Sequence, residues 1–222
     1  MKTKARLISA FAAVVLTVSL SAGALAVSEP FSDLDHCAAK EYILTLQDKG
    51  IVRGVGGGLF APDRLMTAAE GVQLLVSALD LNLDTIRFIK EPKATDYFSK
   101  ADDSAWYANA LITAAVNGLD LPADLDPAQV WTRQEFIGRL IAGMEMTGKT
   151  PMIIELYREI ADEDQIAEQY KSAVQHALAY GVVTLDGEEK FHPQESITRA
   201  EAAQQAYLAM ACLETYSEPA ND

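Results

Sequence analysis

Apolar residues recur at helical spacing in six stretches, and the stretches fall into pairs. Residues 36–49, 105–117 and 163–180 each carry such a pattern, with Tyr42, Ile43, Leu44 and Leu46 as one example. Gly50, Gly118 and Gly181 follow, where a left-handed residue past a helix end is easiest without a Cβ. Pro62, Pro127 and Pro193 then keep the chain out of helix for several residues. Next come Thr67-Ala68-Ala69-Glu70, Thr132-Arg133-Gln134-Glu135 and Thr198-Arg199-Ala200-Glu201. A Thr-x-x-Glu of this kind predicts a reciprocal capping box, opening apolar helices over 68–79, 133–146 and 199–213. The expected unit is helix, Gly-turned loop, helix, present three times.

The spacing makes this a repeat: Thr67, Thr132 and Thr198 stand 65 and 66 residues apart, and the three glycines 68 and 63 apart. One unit alone has too little core, so three should pack together. The predicted boundaries are repeat one at 27–82, a linker at 83–97, repeat two at 98–147, a linker at 148–159, repeat three at 160–214 and a tail at 215–222. Met152 to Tyr157 reads as a short extra helix within the second linker.

The chain opens differently. Lys2, Lys4 and Arg6 precede the apolar run Leu7 to Leu20, and Ala24-Leu25-Ala26 offers small residues for cleavage. This predicts a signal peptide over 1–26, the other reading being an uncleaved membrane anchor. Loss of those basic residues takes the net charge from −14 to −17. A chain so acidic is a poor partner for nucleic acid, and an anionic ligand would have to be caught by locally placed Arg, Lys or backbone N–H groups. After cleavage no further membrane segment is expected.

The order Phe31-Ser32-Asp33, Ala105-Trp106-Tyr107-Ala108, Gly50-Ile51, a Gly-rich turn, Phe60-Ala61-Pro62 and Ile197-Thr198-Arg199-Ala200-Glu201 resembles the S-layer homology (SLH) domain over about residues 31–214. The resemblance implies a mainly α fold, with three helix-loop-helix repeats packed as a pseudo-threefold helical assembly. It also implies grooves between repeats that hold secondary cell-wall polysaccharide, typically with pyruvylated sugars, and so anchor an exported protein at the cell surface. The family's Arg matches Arg133 and Arg199, where a guanidinium beside free helix N–H groups suits a carboxylate. Repeat one has Ala68 there, which predicts a weakened groove for that repeat. The family's Asp matches Asp33 and Asp162, with Lys100 in repeat two, and its Trp matches Trp106. Gly54 and Gly56, in the Gly-rich turn, are candidates for backbone contacts to glycan.

Other chemistry is sparse. His36, His176 and His192 are too dispersed for a recognisable metal site, and no nucleophile elbow or phosphate loop occurs. Asp80, Asn82, Asp84 and Glu91 fall at EF-hand loop positions, but Thr85 stands where that loop needs Gly. No cofactor, metal or enzymatic activity is expected. Cys37 and Cys212 leave two readings open, a disulfide permitted by export or two thiols acting as small hydrophobes. The expected function is non-covalent attachment to wall polysaccharide. The alternative is a structural or protein–protein module that kept the fold and lost the glycan site.

Overall fold

A computed structural model describes residues 30–153 and 157–217. The expected signal peptide, residues 154–156 of the expected linker helix and the end of the tail lie outside the described residues. The described chain is mainly α. Its helices are α1 (Lys40–Asp48), α2 (Ala68–Ala78), α3 (Ala108–Val116), α4 (Arg133–Met146), α5 (Glu168–Ala179) and α6 (Arg199–Ser217), with single 3₁₀ turns at Ala94–Asp96 and Glu163–Gln165.

The first helix of each unit starts three to five residues later than the periodicity suggests. Turns occupy those residues: Cys37 N–H donates to Leu34 C=O, Ala105 to Asp102 and Ile166 to Glu163, at 3.0–3.1 Å. Apolar spacing marks which face is buried, not whether the backbone has yet become helical. The helix ends follow the glycines. Gly50, Gly118 and Gly181 have φ of 73°, 84° and 70°. The next residue's N–H returns to a carbonyl in the last helical turn, at 2.9 Å each for Ile51 to Leu46, Leu119 to Ala114 and Val182 to Ala177.

At the centre, the residue before each capping Thr joins the three units. Met66 N–H donates to Ile197 C=O (2.9 Å), Ile197 to Trp131 (3.0 Å), and Trp131 to Met66 (3.1 Å), closing a ring. All three side chains are buried. A buried peptide group needs a partner, and each of these finds it on another unit. Around the ring α2, α4 and α6 touch one another in pairs. Each also carries a first helix from the next unit in cyclic order, giving α2 with α3, α4 with α5 and α6 with α1. The Trp131 ring packs against Gly71 of α2, in space that a Cβ would fill. This close approach lets a full indole sit where the other units place Met66 and Ile197.

Cys37 and Cys212 are both free thiols, so the bridge is not formed. Tyr42 packs on Tyr207 with ring centroids 5.0 Å apart, and Lys49 pairs with Glu214 at 3.0 Å. These contacts set α1 and α6 in the same direction. Cys212 therefore stands level with the last turn of α1, near Tyr180, whereas Cys37 precedes its first, and no disulfide geometry joins the two. Alkylation after denaturation without reductant should label both thiols, and reductant should leave the intact mass unchanged. Trp131→Ala should destabilise the fold by about 3–5 kcal/mol in urea unfolding, because the cavity lies where all three units meet.

Candidate functional site

Each second helix begins by docking on another unit. The first two amides of α2, Ala68 and Ala69, donate to Gln129 and Pro127 carbonyls (2.7 and 3.0 Å). Those of α4, Arg133 and Gln134, donate to Glu195 and Pro193 (2.8 and 3.2 Å), and those of α6, Arg199 and Ala200, to Arg64 and Pro62 (2.9 and 3.0 Å). In every unit the box Glu also takes back the amide of its own Thr: Thr67 to Glu70 at 3.2 Å, Thr132 to Glu135 at 2.8 Å and Thr198 to Glu201 at 2.9 Å. The helix-start N–H groups read from sequence as open to a carboxylate are occupied by protein.

The arginines follow the same cross-unit route. Arg199, 8% exposed, sends Nε to Phe60 C=O (3.0 Å) and Nη2 to Arg53 C=O (3.1 Å), both on the first unit. Its Nη1 lies 3.3 Å from Glu70 Oε1, and its Cζ sits 4.6 Å over the Phe60 ring. Arg133 repeats this on the third unit, with Nη1 to Phe191 C=O (3.3 Å) and Nη2 to Glu201 (2.8 Å). An arginine at the head of one unit's helix therefore belongs to the groove of the next. Ala68, whose helix docks on the middle unit, deprives the middle groove of its arginine, not the groove of its own repeat.

One groove gathers several of the expected residues. A cavity of about 630 Å³ is lined by Gly50 to Val55, by Glu70, Gln73 and Ser77 of α2, by Trp106, and by Arg199. Trp106 is 64% exposed and stands edge-on to Tyr107 at 5.6 Å. Gly54 also lines it, at a point where a Cβ would meet Leu59 O at 2.5 Å and the Phe31 ring at 2.8 Å. Gly56, with φ of 107°, sits at the tip of the turn, outside the lining residues.

The electrostatics of this groove favour an anion. Glu70 contacts both Arg64 and Arg199. Burial pushes its carboxyl up, but the Arg64 hydrogen bond, the Thr67 amide and the Arg199 charge together hold it below its usual value. Burial lowers the Arg199 pKa, although a guanidinium remains charged throughout the ordinary range. Two cations thus share one carboxylate, and Arg53 lines the same cavity.

The two aspartates are placed elsewhere. Asp33 accepts from Phe60 N–H (2.9 Å) and Ala61 N–H (2.7 Å). Asp162 accepts from Phe191 N–H (2.9 Å) and His192 N–H (2.8 Å). Ala61 and His192 have left-handed φ of 59° and 57°, so each carboxylate clamps a strained turn with both oxygens. The bonds the structure gives these carboxylates are structural: they hold the Phe carbonyls that receive Arg199 and Arg133. The middle unit has Lys100 at the matching position. Its Asp126 instead accepts from Ala128 N–H at 2.9 Å, turning its own loop without a left-handed residue.

Arg53, Arg64, Gln73 and Ser77 were not singled out from sequence. Glu70, Gln73 and Ser77 nevertheless form a polar stripe at i, i+3 and i+7 in an otherwise apolar helix, which is a readable signal. Among the described residues, no group of three or more His, Cys, Asp or Glu is placed to hold a metal ion, and no helix is long and apolar enough to cross a membrane.

Comparison with known proteins agrees with this architecture. The S-layer homology domain model matches residues 30–70 and 159–203, so the first and third units are S-layer homology repeats. The chain is 26% identical over 201 residues to the Surface-layer 125 kDa protein of Lysinibacillus sphaericus, covering 88% of this chain and 16% of that protein. It is 28% identical over 205 residues to Exoglucanase XynX of Acetivibrio thermocellus, covering 88% and 17%. It is 26% identical over 183 residues to the Amylopullulanase of Thermoanaerobacterium thermosulfurigenes, covering 78% and 9%. The chain thus spans less than a fifth of the length of these curated relatives.

Asp162→Ala should cost about 1–3 kcal/mol, because it leaves two inward-facing N–H groups unpaired. For Asp33, burial opposes ionisation but the Phe60 and Ala61 amides prevail, and the carboxyl lies below its usual 3.8. A lowered folded-state pKa contributes stability above the unfolded value and loses it as pH falls through the folded one. Resistance to urea unfolding should therefore fall as pH drops below about 4, and Asp33→Asn should flatten part of that acid limb.

Proposed function

We propose that this chain attaches non-covalently to secondary cell-wall polysaccharide at the surface of the exporting cell, through acidic sugars of the pyruvylated kind. The observation that carries this reading is the groove where Trp106, Gly54, Arg53 and Arg199 converge. An exposed indole gives a sugar a stacking face, and a guanidinium fixed by two carbonyls gives its carboxylate a preset partner. The name of the Lysinibacillus relative, a surface-layer protein, supports the same placement.

Attachment rather than catalysis is the proposed role. The glycan-degrading relatives share only 17% and 9% of their length with this chain, so their names say little about it. No turnover of wall glycan by the purified protein is expected, and measurable release of reducing ends would overturn this part. Arg133, carried by the middle unit's α4 and bound to Phe191 C=O and Glu201, offers the third unit a guanidinium of the same kind.

Sedimentation with purified cell walls, before and after chemical removal of the secondary polymer, tests the reading. Binding should be lost with the polymer, and Trp106→Ala should weaken it about tenfold without altering the fold, since the indole is largely exposed. Arg199→Ala should weaken it at least as much. Equal binding to stripped walls would overturn the glycan reading and favour a protein–protein module.

A further inference from the structure

The middle unit's groove lacks the helix-start arginine, yet a different guanidinium stands in it. A cavity of about 510 Å³ lies between the loop at Asp120–Pro122, helix α4 and helix α5, and Arg139 forms part of its wall. Arg139 occupies the position seven residues after the capping Thr, where the first unit has Leu74 and the third has Gln205. It is 9% exposed. Its Nη1 donates to Glu135 C=O at 2.7 Å, while its Nε is buried without any partner.

No carboxylate among the described residues pairs with this charge. Glu145, in the same cavity, is held by His176 Nδ1 at 2.5 Å, and Asp120 is an exposed rim residue. Beside the Glu135 carbonyl, the guanidinium is met by the Trp131 face, 4.6 Å from its carbon. A ring face offsets only part of the cost of burying a cation. Tyr170, half-buried, packs its ring on Gly138 beside Arg139 and lines the same cavity, within reach of a sugar ring there.

We propose that the middle groove is a further binding site for a carboxylate carried on a saccharide, with Arg139 replacing the arginine that Ala68 cannot supply. The site rests on the wall-glycan reading for its ligand class but not for its geometry. The carboxylate takes the free edge of the guanidinium, and the sugar ring lies along Tyr170. The binding residue thus comes from the groove's own α4, whereas Arg199 reaches its groove from another unit.

Side-chain NMR of the labelled full chain tests this directly, through the Arg139 Nε–H resonance. The probes are a methyl hexoside bearing a pyruvate ketal, the same hexoside without it, and free pyruvate. The ketal should shift the resonance saturably, and the neutral hexoside and free pyruvate should not do so at equal concentration. A static resonance would overturn the proposal, and an equal response to free pyruvate would overturn its saccharide component. Ketal binding should also persist in Arg133→Ala plus Arg199→Ala and fall at least tenfold when Arg139→Met is added. Loss of all binding in a double variant that keeps the wild-type circular dichroism and melting transition, with wild-type protein still sedimenting on walls, would sink the middle site and leave the wall-glycan reading intact. A saturable Arg139 shift in protein that ignores walls would do the reverse.

Discussion

Three peptide groups at the centre of the molecule have nowhere to hydrogen-bond except to one another. Met66, Trp131 and Ile197 are buried, and each belongs to an extended segment too short to pair within its own unit. Their N–H groups close a ring of three bonds, and breaking any one would strand a buried donor and a buried acceptor together. The adjoining helix starts extend the same logic, with the first two amides of each second helix satisfied by a loop of another unit. Every unit thus lacks something that the next one supplies.

That dependence shapes the grooves. Because α6 docks on the first unit's loop, Arg199 arrives in a groove built from residues about 130 positions away, with 139 separating it from Phe60. The aspartates complete the arrangement from behind. Asp33 and Asp162 bend their loops through a left-handed residue, which presents the Phe carbonyls to the incoming arginines. The middle unit has lost the clamp at Lys100, the left-handed turn at Asp126 and its arginine at Ala68, all of which belong to one device. What it has in their place is Arg139, buried against Trp131.

Much of this was legible in the chain. Gly50, Gly118 and Gly181 end their helices as expected, and each Thr-x-x-Glu opens one, because caps and left-handed turns are settled within a few residues of backbone. The starts of α1, α3 and α5 were placed early, because apolar periodicity continues through turns that also face the core. The groove brings Trp106, Gly54 and Arg199 together, whereas both oxygens of Asp33 and of Asp162, and the helix-start amides, are engaged by other segments of the protein. Whether a carboxylate meets solvent or another loop's amides depends on residues more than 25 positions away.

The sequence by itself therefore determined three copies of a helix-loop-helix unit and where each helix caps and stops, since local hydrogen bonding and steric preference act within one turn. Only the tertiary structure decided which unit receives which arginine, that Cys37 and Cys212 lie at opposite ends of paired helices, and that Arg139 is buried without a carboxylate. Those outcomes follow from how three units close on one another through their backbones. No residue's own preference encodes the identity of the neighbour that completes it.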